Sequence, residues 1–339
     1  MDFVEPLVRK MVGDIPPIKK SDPSNLPAAT KEMVGLKHYR PVVCLYHADC
    51  FDGTGAAWAL TKRFPNATCI PVNYNEDPPL NQIPVGAHVY VVDFCYNIDR
   101  LLMLAAVADR LHIYDHHAGQ ESTMGLFNDY MQDLGWADTH KAVFNNHMSG
   151  AKLTWTILHP SLDVPLIIEH ISDRDLWLFD LDETKAVMAG LGTYPLDLVV
   201  WDRLFRWTPH YDASDFGSPH QAAVDALETD GHVILRAQQV EIDRIIQNTR
   251  RKMRLESVER EVTLINVPRH LASEALSQIA ADEELAVGYF DSEGHREFSL
   301  RSRKGGPDVK AIAQLYPGGG GHLHAAGFRL PRTHPLAQY

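Results

Sequence analysis

The chain is poor in cysteine, in long apolar runs and in positive charge. Only four cysteines, Cys44, Cys50, Cys69 and Cys95, occur among 339 residues, and no two form a CxxC pair. That excludes a disulfide framework and fits free thiols in a reducing compartment. No apolar run approaches the roughly 18 residues that a membrane helix requires. The amino-terminal stretch MDFVEPLVRKMVGD lacks the apolar core of a secretory signal. A cytoplasmic location with no membrane partner is therefore expected. Basic residues number 32 against 44 acidic ones, a net charge of −12. A protein that tracks long nucleic acid presents a broad basic face, because phosphate contacts supply most of the non-specific affinity. This balance argues against such tracking and leaves room for a small anion held by a local basic cluster. Internal repeats and low-complexity tracts are also missing.

What remains is a soluble globular composition, 45% hydrophobic and 22% charged. The length favours two domains over one. Residues 1–40, with Pro16, Pro17, Pro23 and Pro27, read as an arm with a short helix near Val4–Val12. From Pro41 short apolar runs alternate with helical patterns. Pro41–Tyr46, Ala67–Val72, His88–Val92, Arg110–Tyr114 and Lys141–Asn145 read as strands. Helices are expected over Thr54–Phe64, Ile98–Ala108, Gly150–Leu158 and Pro165–Ile171. Continuous apolar strands alternating with helices predict a doubly wound, mainly parallel α/β sheet over 41–215. Apolar residues at helical spacing predict a helical linker over 216–260, and a smaller α+β domain follows over 261–339.

Acidic residues and histidines gather where these strands end. His47, Asp49 and Asp52 follow the first strand, Asp93 the third, and Asp115-His116-His117 the fourth; Asp173 closes a later helix. In an open parallel sheet those ends converge on one edge, where ligands bind. Taken singly, each residue has a plain reading: an Asp after a strand caps a helix, Asp52 before Gly53 marks a turn, and a buried His satisfies a core hydrogen bond. His88 and His112, inside strands, belong to that plain class. The coincidence of four clusters points instead to metal. Carboxylates mixed with imidazole suit manganese, with iron, cobalt or magnesium as alternatives. This many ligands exceed the needs of one ion and fit two divalent metals sharing a bridging carboxylate, an arrangement used for phosphoester cleavage.

In the last domain, Phe298-Ser299-Leu300-Arg301-Ser302-Arg303 reads as a strand with Ser299, Arg301 and Arg303 on one face. Downstream, Gly318-Gly319-Gly320-Gly321-His322 lacks the Lys-Ser or Lys-Thr of a Walker A loop. Its glycines read as an anion nest of backbone N–H groups, against the plainer reading of a flexible loop. Arg301, Ser302, Arg303, Gly319, Gly320, Gly321 and His322 are the candidate substrate-binding set.

His47-Ala48-Asp49-Cys50-Phe51-Asp52-Gly53, Asp93, Asp115-His116-His117 and Asp173 resemble the four motifs of the DHH phosphoesterase superfamily. The arginine strand, Asp308-Val309, the glycine run and Ala325-Ala326-Gly327-Phe328 resemble its associated DHHA1 domain. The resemblance covers roughly residues 41–332. Two residues separate Asp49 from Asp52, where many members have Asp-x-Asp; a subgroup with a Cys-x-Asp-Gly ending is closer. The resemblance implies an active-site cleft between the two domains. It also implies that Asp93 bridges the metals, that His47, Asp49, Asp52, His116 and Asp173 are ligands, that His117 contacts the substrate phosphate, and that Asp115 orients a histidine ring. The implied activity is a metal-dependent phosphodiesterase. With the acidic balance, the favoured substrates are short oligoribonucleotides or linear dinucleotides such as pGpG or pApA. A polyphosphate or small phosphate-ester hydrolase and a non-catalytic nucleotide sensor are the rivals, and a homodimer is compatible with all three.

Overall fold

The computed structural model describes residues 40–74, 76–208, 218–256 and 258–338. The arm expected over 1–40, with its helix near Val4–Val12, lies outside the described residues except for Arg40. So does the 215/216 boundary. The chain divides into two compact units, Met1–His232 and Val233–Tyr339.

In the first unit, the apolar runs form a five-stranded parallel sheet: β1 (Val42–His47), β2 (Thr68–Val72), β3 (His88–Val92), β4 (Arg110–Asp115) and β5 (His140–Phe144). Their order is β2-β1-β3-β4-β5, every pair parallel. The chain winds outward from β1 to β2, then returns to β3 on the other side. The topological switch point therefore lies between β1 and β3, where a crevice opens beyond the strand ends.

The helices of this unit are α1 (Phe51–Arg63), α2 (Ile98–Val107), α3 (Glu121–Asp133), α4 (Gly150–Leu158), α5 (Leu166–Asp175), α6 (Thr184–Leu191) and α7 (Leu198–Phe205). Strand alternation decides which helices each face meets. Cys44, Tyr46, Tyr90, Val92 and Tyr114 point to one face and pack with Trp58 of α1, Trp155 of α4 and Ile168 of α5. Val43, Leu45, Val89, Val91, Leu111 and Ile113 point to the other and meet Leu101 and Leu104 of α2 and Phe127 of α3. Both faces are covered, which is why these strands are apolar throughout rather than alternating. Helix α1 begins at Phe51, earlier than the sequence predicts, because Asp52-Gly53 is a first turn of helix and not a separate turn. Three helices, α3, α6 and α7, are not among those the sequence reading assigns.

A 31-residue helix, α8 (Pro219–Thr249), fills most of the expected linker. The remainder is not linker. Strand β6 (Arg251–Met253) pairs antiparallel with β7 (Val262–Asn266) and belongs to the second sheet. That sheet adds β8 (Leu285–Ser292), β9 (His295–Ser302), β10 (Gly320–His322) and β11 (Ala325–Pro331), in the order β10-β11-β9-β8-β7-β6. Only β7 and β8 run parallel. Helix α9 (Ala272–Glu283) covers one face through Leu276 and Ile279, and α10 (Val309–Ala313) covers the other through Val309 and Ile312. The small mixed α+β unit is thus as the sequence predicts, with one more strand at each edge, β6 and β10.

Candidate metal centre

The first unit brings its acidic residues and histidines together at the switch point. Asp93, one residue past β3, is almost fully buried and adopts a left-handed backbone, φ +53°. Such a conformation is uncommon for a residue with a side chain and is held where the surroundings demand it. It turns the carboxylate across the ends of the strands. Oδ2 then lies 3.6 Å from His47 Nδ1, and Oδ1 lies 3.2 Å from His116 Nε2. His116 Nε2 also stands 3.5 Å from Asp52 Oδ2 and 3.4 Å from Asp175 Oδ2.

Close backbone approach makes this arrangement possible. A Cβ on Gly53 would stand 2.1 Å from the carbonyl oxygen of His47. A Cβ on Gly150 would stand 2.4 Å from the Cβ of Asp93. Both positions therefore need glycine for space rather than for φ. Asp52 lies in the first turn of α1 and also accepts from Gly150 N at 2.5 Å and Ala151 N at 2.9 Å, at the first turn of α4. The carboxylate is thus fixed by the N-terminus of α4, where unpaired N–H groups and the helix dipole favour an anion.

Asp115, fully buried, organises the neighbouring histidines. Its Oδ1 accepts from the backbone N–H of His116 at 2.7 Å and of His117 at 3.2 Å, and it meets His117 Nδ1 at 2.7 Å. That contact occupies one ring nitrogen and fixes the ring's orientation. The hydrogen bond to Asp115 outweighs burial and raises the His117 imidazole to about 9.

The remaining electrostatics show what the centre lacks. Burial pushes the Asp93 carboxyl up, but the facing rings of His116 and His47 more than offset this and leave it well below the usual range. Burial, then the charge of Asp93, drives Asp52 well above its ordinary value. Burial likewise raises Asp175. Both oxygens of Asp93, His47 Nδ1 and His116 Nε2 are buried without a hydrogen bond of good geometry. Orphaned buried groups of this kind cost free energy and call for a partner. Divalent cations fit: they accept carboxylate and imidazole donors and relieve the repulsion among three clustered carboxylates. The donor atoms form overlapping groups, each within 4.8 Å: His47, Cys50 and Asp93; Asp52, His116 and Asp175; and Asp93, Asp115, His116 and His117. Asp93 is common to the first and third, as a bridging ligand would be.

Two expected ligands are placed elsewhere. Asp173 is buried but turned away, accepting from Asp180 N at 2.8 Å, Leu181 N at 3.2 Å and Thr184 Oγ1 at 2.5 Å. Asp175 stands in its place at the centre, so the assignment of Asp173 as a ligand is corrected. Asp49 is exposed, with φ +52°, and joins none of the donor groups. The sequence reading passed over Asp175 and also Cys50, whose sulfur joins His47 and Asp93. Its thiol is pushed up to about 12 by burial and the nearby charges of Asp93 and Asp52.

The substrate-binding candidates occupy the second unit. Arg301 is half-buried on β9; its guanidinium bonds to the Leu300 carbonyl at 3.0 Å and forms no ion pair among the described residues. Arg303 lies just past the strand and pairs with Glu284 at 2.6 Å. Ser302 faces the core and shares a hydrogen bond with His324 Nδ1 at 2.9 Å. The glycine run is not the open nest expected. Gly319 N donates to the Tyr316 carbonyl at 3.0 Å, and a Cβ there would stand 1.8 Å from the carbonyl oxygen of Ala313. Gly320, Gly321 and His322 form strand β10, with Gly321 at φ +139° against Ala326 of β11. These glycines serve a tight turn and an edge strand, while His322 is exposed.

No family model matches the chain. An uncharacterised protein of Acanthamoeba polyphaga mimivirus is 23% identical over 307 residues, covering 84% of this chain and 66% of its own length. The chain thus spans just under two-thirds of that relative. Similar solved structures include RecJ from Thermus thermophilus in complex with Mn2+, at 14% identity and a TM-score of 0.48, covering 91% of this chain and 52% of RecJ. An exopolyphosphatase-related protein from Bacteroides fragilis aligns at 12% identity and a TM-score of 0.42, covering 88% of this chain and 89% of its own. An uncharacterised Helicobacter pylori protein aligns at 16% identity and a TM-score of 0.37, covering 86% and 94%.

Proposed function

We propose that the chain is a metal-dependent phosphodiesterase that hydrolyses short oligoribonucleotides or linear dinucleotides to mononucleotides. The observation that carries this reading is the set of donor groups meeting at Asp93, whose buried oxygens and facing histidine nitrogens lack hydrogen-bond partners. His47, Cys50, Asp52, Asp93, His116 and Asp175 would hold two divalent ions, manganese by preference. Bound there, such ions neutralise phosphate charge and activate water for attack on phosphorus. The protein's own groups do the rest. Asp115 fixes the His117 ring, and His117 offers its free nitrogen to a phosphate oxygen. The N-terminus of α4 holds Asp52 so that it need not reorganise during reaction. In the second unit, the Arg301 guanidinium, with no ion pair among the described residues, is suited to hold a phosphate oxygen.

A substrate panel tests this. Protein stripped of metal and then supplied with Mn2+ is offered pGpG, pApA, longer RNA, cyclic dinucleotides and polyphosphate. The expected result is mononucleotide release from the linear dinucleotides, fastest of the panel, and none in excess chelator. Polyphosphate cleaved faster than any nucleotide would overturn the substrate assignment.

A further inference from the structure

Helix α5 ends at Asp175, and the chain then presents a run of apolar side chains to solvent. Trp177 is 57% exposed, Leu178 is 55% exposed, and Leu181 follows nearby. A large indole this open is unusual for a residue that could contribute so much buried area. It is also held open at a cost. Trp177 and Phe179 both take left-handed backbone conformations, φ +58° and +53°, which side chains with a Cβ disfavour.

The surroundings brace this shape. The Asp173 carboxylate takes the N–H groups of Asp180 and Leu181 and the Thr184 hydroxyl, and its carbonyl takes Leu178 N at 2.9 Å. The Trp177 ring stands edge-on to Phe179, centroids 4.9 Å apart, and Lys185 Nζ lies 5.0 Å from the centre of the Phe179 ring. A strained loop with a buried carboxylate spent on its shape is a presented surface, not slack chain. Asp175, two residues before Trp177, belongs to the metal centre. Two trans peptide links keep their Cα atoms within about 7.6 Å. The Trp177 backbone is therefore anchored close to a residue of the metal centre.

We propose that Trp177 is a stacking platform for a nucleobase of the substrate whose phosphate is bound at the Asp93 centre. The inference rests on the nucleotide reading above and makes it more specific. An indole face accepts any flat base without reading its edges, so the platform gives affinity for nucleotides as a class and little choice among bases. It also separates a nucleotide from a bare polyphosphate, which has nothing to stack.

The test uses the full chain loaded with Mn2+ and two probes, adenosine 5′-monophosphate and ribose 5-phosphate, followed by tryptophan fluorescence. The chain has six tryptophans, so the signal of Trp177 is taken as the difference between wild type and Trp177→Ala. Adenosine monophosphate should quench that difference signal, and ribose 5-phosphate should not. Trp177→Ala should weaken adenosine monophosphate binding by about five- to a hundred-fold, the range of a lost base–aromatic stack, with metal content unchanged. Trp177→Phe should recover part of the loss. For a dinucleotide substrate, KM should rise by a similar factor while kcat changes far less. Equal affinity of the wild type for both probes, or unaltered binding in Trp177→Ala, would overturn the platform even if dinucleotides are hydrolysed. Quenching by the nucleotide with no dinucleotide hydrolysis would support the platform and overturn the proposed reaction.

Discussion

A Cβ placed on Gly150 would lie 2.4 Å from the Cβ and 2.8 Å from the Cα of Asp93. The start of α4 is thus pressed against the backbone of the residue at the middle of the metal centre, and the N–H of Gly150 holds Asp52 at the same time. Gly150→Ala should push both carboxylates apart, since backbone cannot yield as a flexible side chain would. Overpacking of this kind costs about 1–3 kcal/mol. The expected outcome is a folded protein by circular dichroism with Mn2+ affinity lowered at least about ten-fold; calorimetric titration checks it.

Asp173 and Asp175 should separate cleanly. Asp173→Asn removes charge-assisted hydrogen bonds, each worth roughly 1.5–3 kcal/mol, and should lower the Tm by several degrees with a smaller effect on metal affinity. Asp175→Asn should leave the Tm of the metal-free protein nearly unchanged and weaken Mn2+ binding by about ten-fold or more. Equal metal loss in both would return Asp173 to the ligand set.

That pair shows where the sequence stops being legible. The segment Ser172-Asp173-Arg174-Asp175 offers two carboxylates two positions apart, which an α-helix turns about 200° from one another. Only one can face the strand ends, and nothing local says which. The strand-end residues His47, Asp93 and His116 were legible because apolar runs fix where each strand stops, and a parallel sheet sends all its ends to one edge. Cys50 was not, because a cysteine beside a cluster looks like any other free thiol until its sulfur is seen near His47 and Asp93. Helix α6 hides for a related reason. It is only eight residues long, too short for its apolar residues Val187, Met188 and Leu191 to show a sustained period, and it is seated by close backbone approach to α8, with Gly190 against the carbonyl of Leu227 and Gly231 of α8 against that of Ala186. The glycine run misled in the opposite sense. Four glycines suggest open N–H groups, but the turn and strand β10 use the backbone of most of the run.

The two histidines of the triplet should differ in kind. His116→Ala removes a ring that faces three carboxylates and should deplete bound metal, read by elemental analysis. His117→Ala should retain the metals and slow turnover, because its ring is tied to Asp115 and assigned to phosphate. Equal metal loss in the two variants would show that both rings are ligands.

The proposal that the donor groups meeting at Asp93 would hold two divalent ions is tested most directly by counting metal. Purified wild-type protein is saturated with Mn2+, freed of excess by gel filtration, and its bound manganese measured per chain beside Asp93→Ala. The account predicts two ions per chain in the wild type and fewer than one in the variant. A wild type that retains one ion or none, or a variant that keeps two, would contradict it.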